Sequence, residues 1–305
     1  MAEGPTSPSP LIFDRALLRL RRRRAAALGP ATFLLDRVAD DLADRLQAVL
    51  RRFALVLDLG TPGAAVREAL VRLPSIGTVV TANALVPAPP AYAADVVTDE
   101  EALPFGEASF DLVVSALALQ FVNDLPGTLV QIRRTLKPDG LFAAALMGGE
   151  TLTELRASFA AAESEMEGGL SPRVAPFADL RDLGALLQRA GFALPVTDVE
   201  RLVVRYDSAF ALMHDLRRMG ASNVLIDRRR TPLRRATLIR MAEIYGERFA
   251  DEDGRVRATF DIVWLSGWAP HPSQQQPLRP GSAQARLADA LGVREISAGE
   301  KVGRK

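Results

Sequence analysis

Apolar positions recur at helical spacing over Leu11–Leu28 and again over Ala31–Arg52, where Leu34, Leu35, Val38, Leu42, Leu46 and Val49 form a single stripe. The period then changes. Phe53-Ala-Leu-Val-Leu-Asp58 is a short apolar run ending in an acid and Gly60, the pattern of a buried parallel strand that turns into a loop. A helix is predicted over Val66–Leu73, and strands over Thr78–Thr81, Tyr92–Val97 and Phe110–Ser115. A helix over Leu125–Leu136 leads through a Lys137-Pro-Asp-Gly140 turn to a strand over Leu141–Met147. This alternation predicts an α/β fold: a doubly wound, mainly parallel sheet with helices on both faces. Ligands of such sheets sit at the carboxyl ends of the strands beside the switch in strand order, which directs attention to the loops after Asp58, Thr81, Val97 and Ser115.

Beyond Met147 the pattern predicts helices over Leu152–Glu165 and Leu180–Ala190, a strand over Val199–Tyr206, mostly helix over 208–250 and a strand-like run over Thr259–Trp268. The expected organisation is therefore a disordered, Pro-rich lead-in (1–10), N-terminal helices (11–52), the sheet domain (53–206), a C-terminal helical and strand lid or substrate region (207–269) and an irregular tail (270–305). Tyr206, Trp264 and Trp268 read first as core aromatics, with closure of a lid over the cleft as the sharper alternative.

Composition narrows the function classes. A net charge of +1 argues against nucleic acid as a partner. The charge is unevenly placed, with one basic block at Arg19 and Arg21–Arg24 and a second at Arg228–Arg230, Arg234 and Arg235. Solvated helix faces are the plain reading of such runs. Docking to an acidic partner, or peripheral contact with anionic lipid, is the sharper one. The chain has no cysteine, so disulfides, thiolate metal sites and cysteine nucleophiles are excluded. No apolar run reaches the roughly 20 residues of a transmembrane helix and no secretory signal is visible, so a cytoplasmic location is expected, or the mitochondrial matrix for a eukaryotic chain.

Candidate chemistry centres on the first loop, Leu57-Asp-Leu-Gly-Thr-Pro-Gly-Ala-Ala65. A strand, an acid and a glycine turn into a helix can bring backbone amides against an adenosine cofactor. Thr98-Asp-Glu-Glu-Ala-Leu-Pro-Phe105 then places acids after the third strand, and Phe110-Asp-Leu-Val-Val-Ser115 and Leu136-Lys-Pro-Asp-Gly-Leu141 follow in order. That ordered series resembles the class I S-adenosylmethionine (SAM) methyltransferases. Phe13-Asp-Arg15, Asn123-Asp-Leu-Pro126, Gly148-Gly-Glu-Thr-Leu-Thr-Glu-Leu155, Gly168-Gly-Leu-Ser-Pro172, Met219-Gly220 with Asn223, and Gly267-Trp268 with His271 extend the likeness over nearly the whole chain. In these the chain resembles the complex I assembly factor 5 family, sister to the malonyl-carrier-protein methyltransferases of biotin synthesis.

The resemblance implies SAM as cofactor and a protein substrate, a respiratory complex I subunit, modified by methylation or by arginine hydroxylation. It also implies residue roles. Asp58 and Gly60 would frame the methionine end, and the remaining loop glycine, Gly63, would also belong to the cofactor-binding set. Asn83 would stand at the ribose hydroxyls, and Asp99 would accept from the adenine amino group with Glu100 beside it. Ser115 and the loop after it would line the methyl-donor side. No catalytic residue is implied, and no metal site is expected.

Three positions depart from the family pattern. Pro62 removes an amide donor from the loop and adds bulk. Asn83 replaces an acid, forgoing a charge-assisted hydrogen bond worth about 1.5–3 kcal/mol, or roughly 10- to 100-fold in affinity. Gln120-Phe121 stands where relatives carry His-Trp, which removes an imidazole base. Two readings follow: an enzyme with a weakened SAM site, or a binding module that keeps the fold without catalysis. His214 and His271, the two histidines, read as structural. Glu150, Glu154 and Glu163 read equally as an exposed helix face or as acceptors of a cationic substrate side chain.

Overall fold

The run that ends at Asp58 forms a central strand because it offers water no polar face: Val56, Leu57 and Leu59 are fully buried. This strand, β1 (Phe53–Leu59), pairs in parallel with β2 (Ile76–Asn83), Phe53 opposite Ile76 and Asp58 opposite Thr81. On its other side lies β4 (Phe110–Ala116), followed by β5 (Leu136–Met147), while the two-residue β3 (Val96–Val97) extends the sheet beyond β2. With β6 (Ala193–Tyr206) and β7 (Val256–Trp268) the sheet has seven strands in the order β3-β2-β1-β4-β5-β7-β6. Among the described strands β7 runs opposite to the others, pairing antiparallel with both β5 and β6. Strand order reverses between β1 and β4, and the crevice at their carboxyl ends opens there. The computed structural model describes residues 11–84 and 94–275, together with Gly292.

Alternate strand residues feed two cores. Val56, Leu112, Val114 and Ala143 pack on the side of α2 (Phe33–Gln47), α3 (Ala65–Leu70), α5 (Thr153–Glu167), α7 (Ala209–Arg218) and α8 (Arg235–Phe249). Leu57, Val113, Phe142 and Ala144 face α4 (Leu125–Thr135) and α6 (Leu180–Arg189). The predicted stripe of α2 is buried from Leu34 to Leu46. A third cluster joins Phe13, Leu18, Phe121, Val224 and Leu225 beside α1 (Arg15–Ala27), whose N-cap Asp14 accepts from the Leu17 amide at 2.9 Å. Backbone hydrogen bonds from Asp14 to Val224 (2.8 Å) and from Ile226 to Ile12 (2.9 Å) strap this N-terminal segment to the chain beyond α7.

Several expectations change in three dimensions. Thr259–Trp268 is no lid: it belongs to β7, inside the sheet between β5 and β6. The reason is its two-sided apolarity, since Ala258 through Leu265 are all buried, which demands covering on both faces. Trp264 accordingly sits in the core with the Arg45 guanidinium 4.4 Å from its ring centroid, and Tyr206 is buried too. The Lys137–Gly140 turn lies within β5, as an irregularity between the pairs Phe110–Leu136 and Leu112–Leu141, with Asp139 at φ 62°. Of the predicted third strand, Val96–Val97 is observed and Tyr92 lies outside the described residues. The lead-in 1–10 also lies outside them, as does the tail after Gln275 apart from Gly292. Among the described residues no helix is long and apolar enough to cross a membrane.

Candidate cofactor-binding site

A cavity of about 460 Å³ opens at the carboxyl tips of β1, β2 and β4, within the roughly 300–1,000 Å³ typical of small-molecule sites. Its floor is the first loop. Asp58 is buried there, and the Thr61 hydroxyl donates to its carboxylate while accepting from the Ala116 amide at 3.1 Å. Thr61 thus ties β1 to β4. Burial pushes the Asp58 carboxyl up to about 7, against the lowering influence of the Thr61 hydroxyl and the Arg67 charge. Gly63 takes φ 125°, open to glycine alone in practice, and Pro62 lines the cavity without filling it. Asn83 lines the adjacent wall, its Nδ2 donating to the Thr61 carbonyl at 2.9 Å.

The loop after β4 enters at Leu117, held at φ 52°. This left-handed conformation is strained for a leucine, and it turns the chain into the cavity wall. Gln120 and Phe121 follow along the same wall. Gln120 donates through Nε2 to the Leu117 carbonyl (2.9 Å), and its buried Oε1 has no partner among the described residues. Ser115 does not line the cavity. It is fully buried in β4, with Oγ unpartnered among the described residues.

Asp99 and Glu100 also fail to reach the cavity, and the adenine role drawn for them is corrected. Arg15 donates to Asp99 (2.8 Å) and to Glu100, and Arg19 pairs with Asp99. Adjacent carboxylates in a half-buried turn need cations, and α1 lays its basic face across them. Glu101 accepts from the Asn123 and Asp124 amides, fixing the same turn to the start of α4. Gly60 lies beneath: at φ 73°, a Cβ there would come within 2.9 Å of Glu100 Cγ. Of the seven predicted cofactor residues, the structure gathers Asp58, Gly63 and Asn83 at the cavity, places Gly60 just behind it, and sets Ser115, Asp99 and Glu100 apart.

Other candidates resolve as structure. Glu154 is buried, accepting from the Thr259 amide (3.0 Å) and from its hydroxyl, and Glu163 is buried against Arg173 and the Ser171 amide. Neither belongs to an exposed face. His214 is exposed on α7, and the Nδ1 of His271 lies 2.6 Å from Ser273 Oγ. Part of the basic blocks turns inward: Arg21 donates to the Asn223 carbonyl and Arg228 meets Asp14 at 3.1 Å, while Arg229 pairs with Glu167 from an exposed position. Sequence reasoning missed Thr61, Leu117, Arg22 and the Met219-Gly220 turn after α7, all of which line the cavity. The Met219-Gly220 pair did stand out as a motif, Thr61 and Leu117 lie in the two loops drawn at the cofactor and Arg22 in the first basic block, but linear pattern did not single out these side chains.

The strand order and the cleft at its switch point define a protein of the methyltransferase fold, and the methyltransferase-domain family profile matches residues 57–144. The chain is 40% identical to the arginine-hydroxylase NDUFAF5, mitochondrial, of Danio rerio, over 93% of this chain and 91% of that protein. It is 43% identical to the Homo sapiens protein of the same name, over 94% and 85%. It belongs to the NDUFAF5 family. A malonyl-[acyl-carrier protein] O-methyltransferase of Laribacter hongkongensis is 34% identical over 88% of this chain and 94% of its own.

Proposed function

We propose that the chain binds SAM in the cavity at the tips of β1, β2 and β4 and modifies an arginine of a protein substrate during respiratory complex I assembly. The observation that carries the cofactor half is the conjunction of Asp58, Gly63 and Asn83 around one cavity of suitable volume. The residues present fit the methionine and ribose parts of the cofactor: Asp58 offers a carboxylate, Gly63 a backbone free of Cβ, and Asn83 and Gln120 amide groups. Asp99, drawn at the adenine end, is instead covered by α1 through Arg15 and Arg19 and does not line the cavity. Bound SAM supplies an activated methyl group. The chain's own contribution is to position and shield it.

The arginine half is supported by the names of the relatives, which are mitochondrial and so also favour a mitochondrial location for a eukaryotic chain. Calorimetric titration with SAM tests the first half: no heat at millimolar ligand removes the cofactor reading and leaves a binding module. Mass spectrometry of complex I subunits from a deletion strain tests the second. Loss of an arginine one oxygen heavier supports hydroxylation, and loss of one a methylene heavier supports methylation. A complex that fails to assemble with neither mark changed sinks both.

A further inference from the structure

The arginines of the basic blocks that do not turn inward collect where α1 and α7 end. Arg24 lies in the last turn of α1 and Arg217 in the last turn of α7. The two helices meet there. A Cβ at Gly220 (φ 70°), just past α7, would stand 3.1 Å from both Cα and Cγ of Arg22. The segment that follows is strapped along α1 by the bond from Arg21 to the Asn223 carbonyl and by the Arg228–Asp14 pair at 3.1 Å. It brings Arg230 close enough to act on the Asp14 carboxyl. Burial first, then the charges of Arg228 and Arg24, lower the pKa of Arg21, which stands between them.

Arg23, Arg24, Arg217 and Arg230 are exposed, and among the described residues none is ion-paired. Elsewhere the surface matches its cations: Arg37, Arg45, Arg67, Arg134 and Arg240 each meet a carboxylate. The whole chain is nearly balanced, with 38 lysines and arginines against 37 aspartates and glutamates. The surplus is therefore local, and a local surplus makes a directional field.

This surface adjoins the cavity. Arg23 is exposed and also lines it, and Arg218, Met219 and Ala221 line it from the α7 side. A protein that sends a side chain into the cavity from this side lies against these arginines. An arginine side chain arriving alone would be repelled, because Arg22, Arg23, Arg67 and Arg218 outnumber Asp58 and Glu68 around the cavity. Acidic residues beside it in the substrate would reverse the sign of that encounter. A lipid surface offers anionic groups but no side chain to deliver.

We infer that the surface formed by Arg23, Arg24, Arg217 and Arg230 is where the protein substrate docks, and that the substrate carries an acidic stretch beside the residue it delivers. The inference rests on the cavity being the reaction site proposed above.

The test uses the full chain and a fluorescent peptide with one central arginine flanked by glutamates, beside the same peptide with glutamines. One variant carries Arg24→Gln, Arg217→Gln and Arg230→Gln together. A control of equal net charge carries Arg52→Gln, Arg181→Gln and Arg189→Gln, exposed and likewise unpaired among the described residues. Each protein is first checked for a cooperative melt. At low salt, wild type is expected to bind the glutamate peptide about tenfold or more tightly than the glutamine peptide. The first variant should lose about that factor, the control should stay within about twofold, and added salt should erase the preference. SAM calorimetry on the first variant should match wild type. Equal losses in the two variants, equal binding of the two peptides, or binding only to vesicles containing phosphatidylglycerol overturns the inference. Wild type that binds SAM and ignores the glutamate peptide sinks the docking surface alone. Wild type that binds the peptide through these arginines without taking up SAM supports the surface and sinks the cofactor reading.

Discussion

Burial raises the Asp58 carboxyl in the folded chain because one hydroxyl and one partly exposed arginine do not replace the water it lost. Its carboxyl is raised from 3.8 to about 7, so between those values the folded state binds a proton that the unfolded chain has released. By linkage, this residue's contribution to stability declines as pH rises from about 4 to about 7 and is level above. Urea midpoints measured across that window are expected to show the decline in wild type and to lack that component in Asp58→Asn. Gly60 makes a steric prediction. Its φ is 73°, and a Cβ added there would meet Glu100 Cγ at 2.9 Å and Ala118 Cβ at 3.1 Å. Gly60→Ala should therefore cost about 1–3 kcal/mol by chemical denaturation. At this scale the sequence exposed Asp58, Gly63 and Asn83, since an acid and glycines at a strand-to-helix turn have a local meaning. It hid Leu117 and Thr61, whose roles depend on a backbone angle and on a strand partner brought in from residue 116.

Helix α1 was legible as a helix, but its basic residues read as a solvated face. Once docked, Arg15 is 11% exposed and Glu100 3%, whereas Arg19 and Asp99 are each about a third exposed or more, at 39% and 32%. Burial decides which pair matters. Arg15→Met strands a buried carboxylate whose remaining cation is 3.8 Å away, and is expected to destabilise by about 2–4 kcal/mol. Arg19→Met removes a pair that solvent already screens and should cost less than about 1 kcal/mol. Parallel urea titrations of the two variants check the contrast. Equal losses would mean that α1 is held by something other than its inward charges.

For the molecule as a whole, the placement of β7 turns a supposed lid into a structural wall between β5 and β6. Trp264, 4% exposed in the core, therefore belongs to stability: Trp264→Ala should cost about 3–5 kcal/mol, read as a lowered denaturation midpoint. A lid tryptophan would instead change ligand affinity at nearly constant midpoint. Ligand linkage offers a global check on the proposed cofactor. SAM at a hundred times its Kd should stabilise the fold by about 2.7 kcal/mol, seen as a concentration-dependent rise in melting temperature.

The alternation of strand and helix, the run of β1 into an acidic, glycine-bearing loop and the α2 stripe were determined by the chain alone, because backbone period and one-sided burial are written in neighbouring residues. Which cation meets which carboxylate was not. Arg15 finds Glu100 across 85 positions, and β7 enters between β5 and β6. Arg22 faces the cavity rather than water because α1 and the turn after α7 close on it together. Such pairings are settled by which surfaces meet when the elements pack, and local periodicity carries no record of a partner that distant.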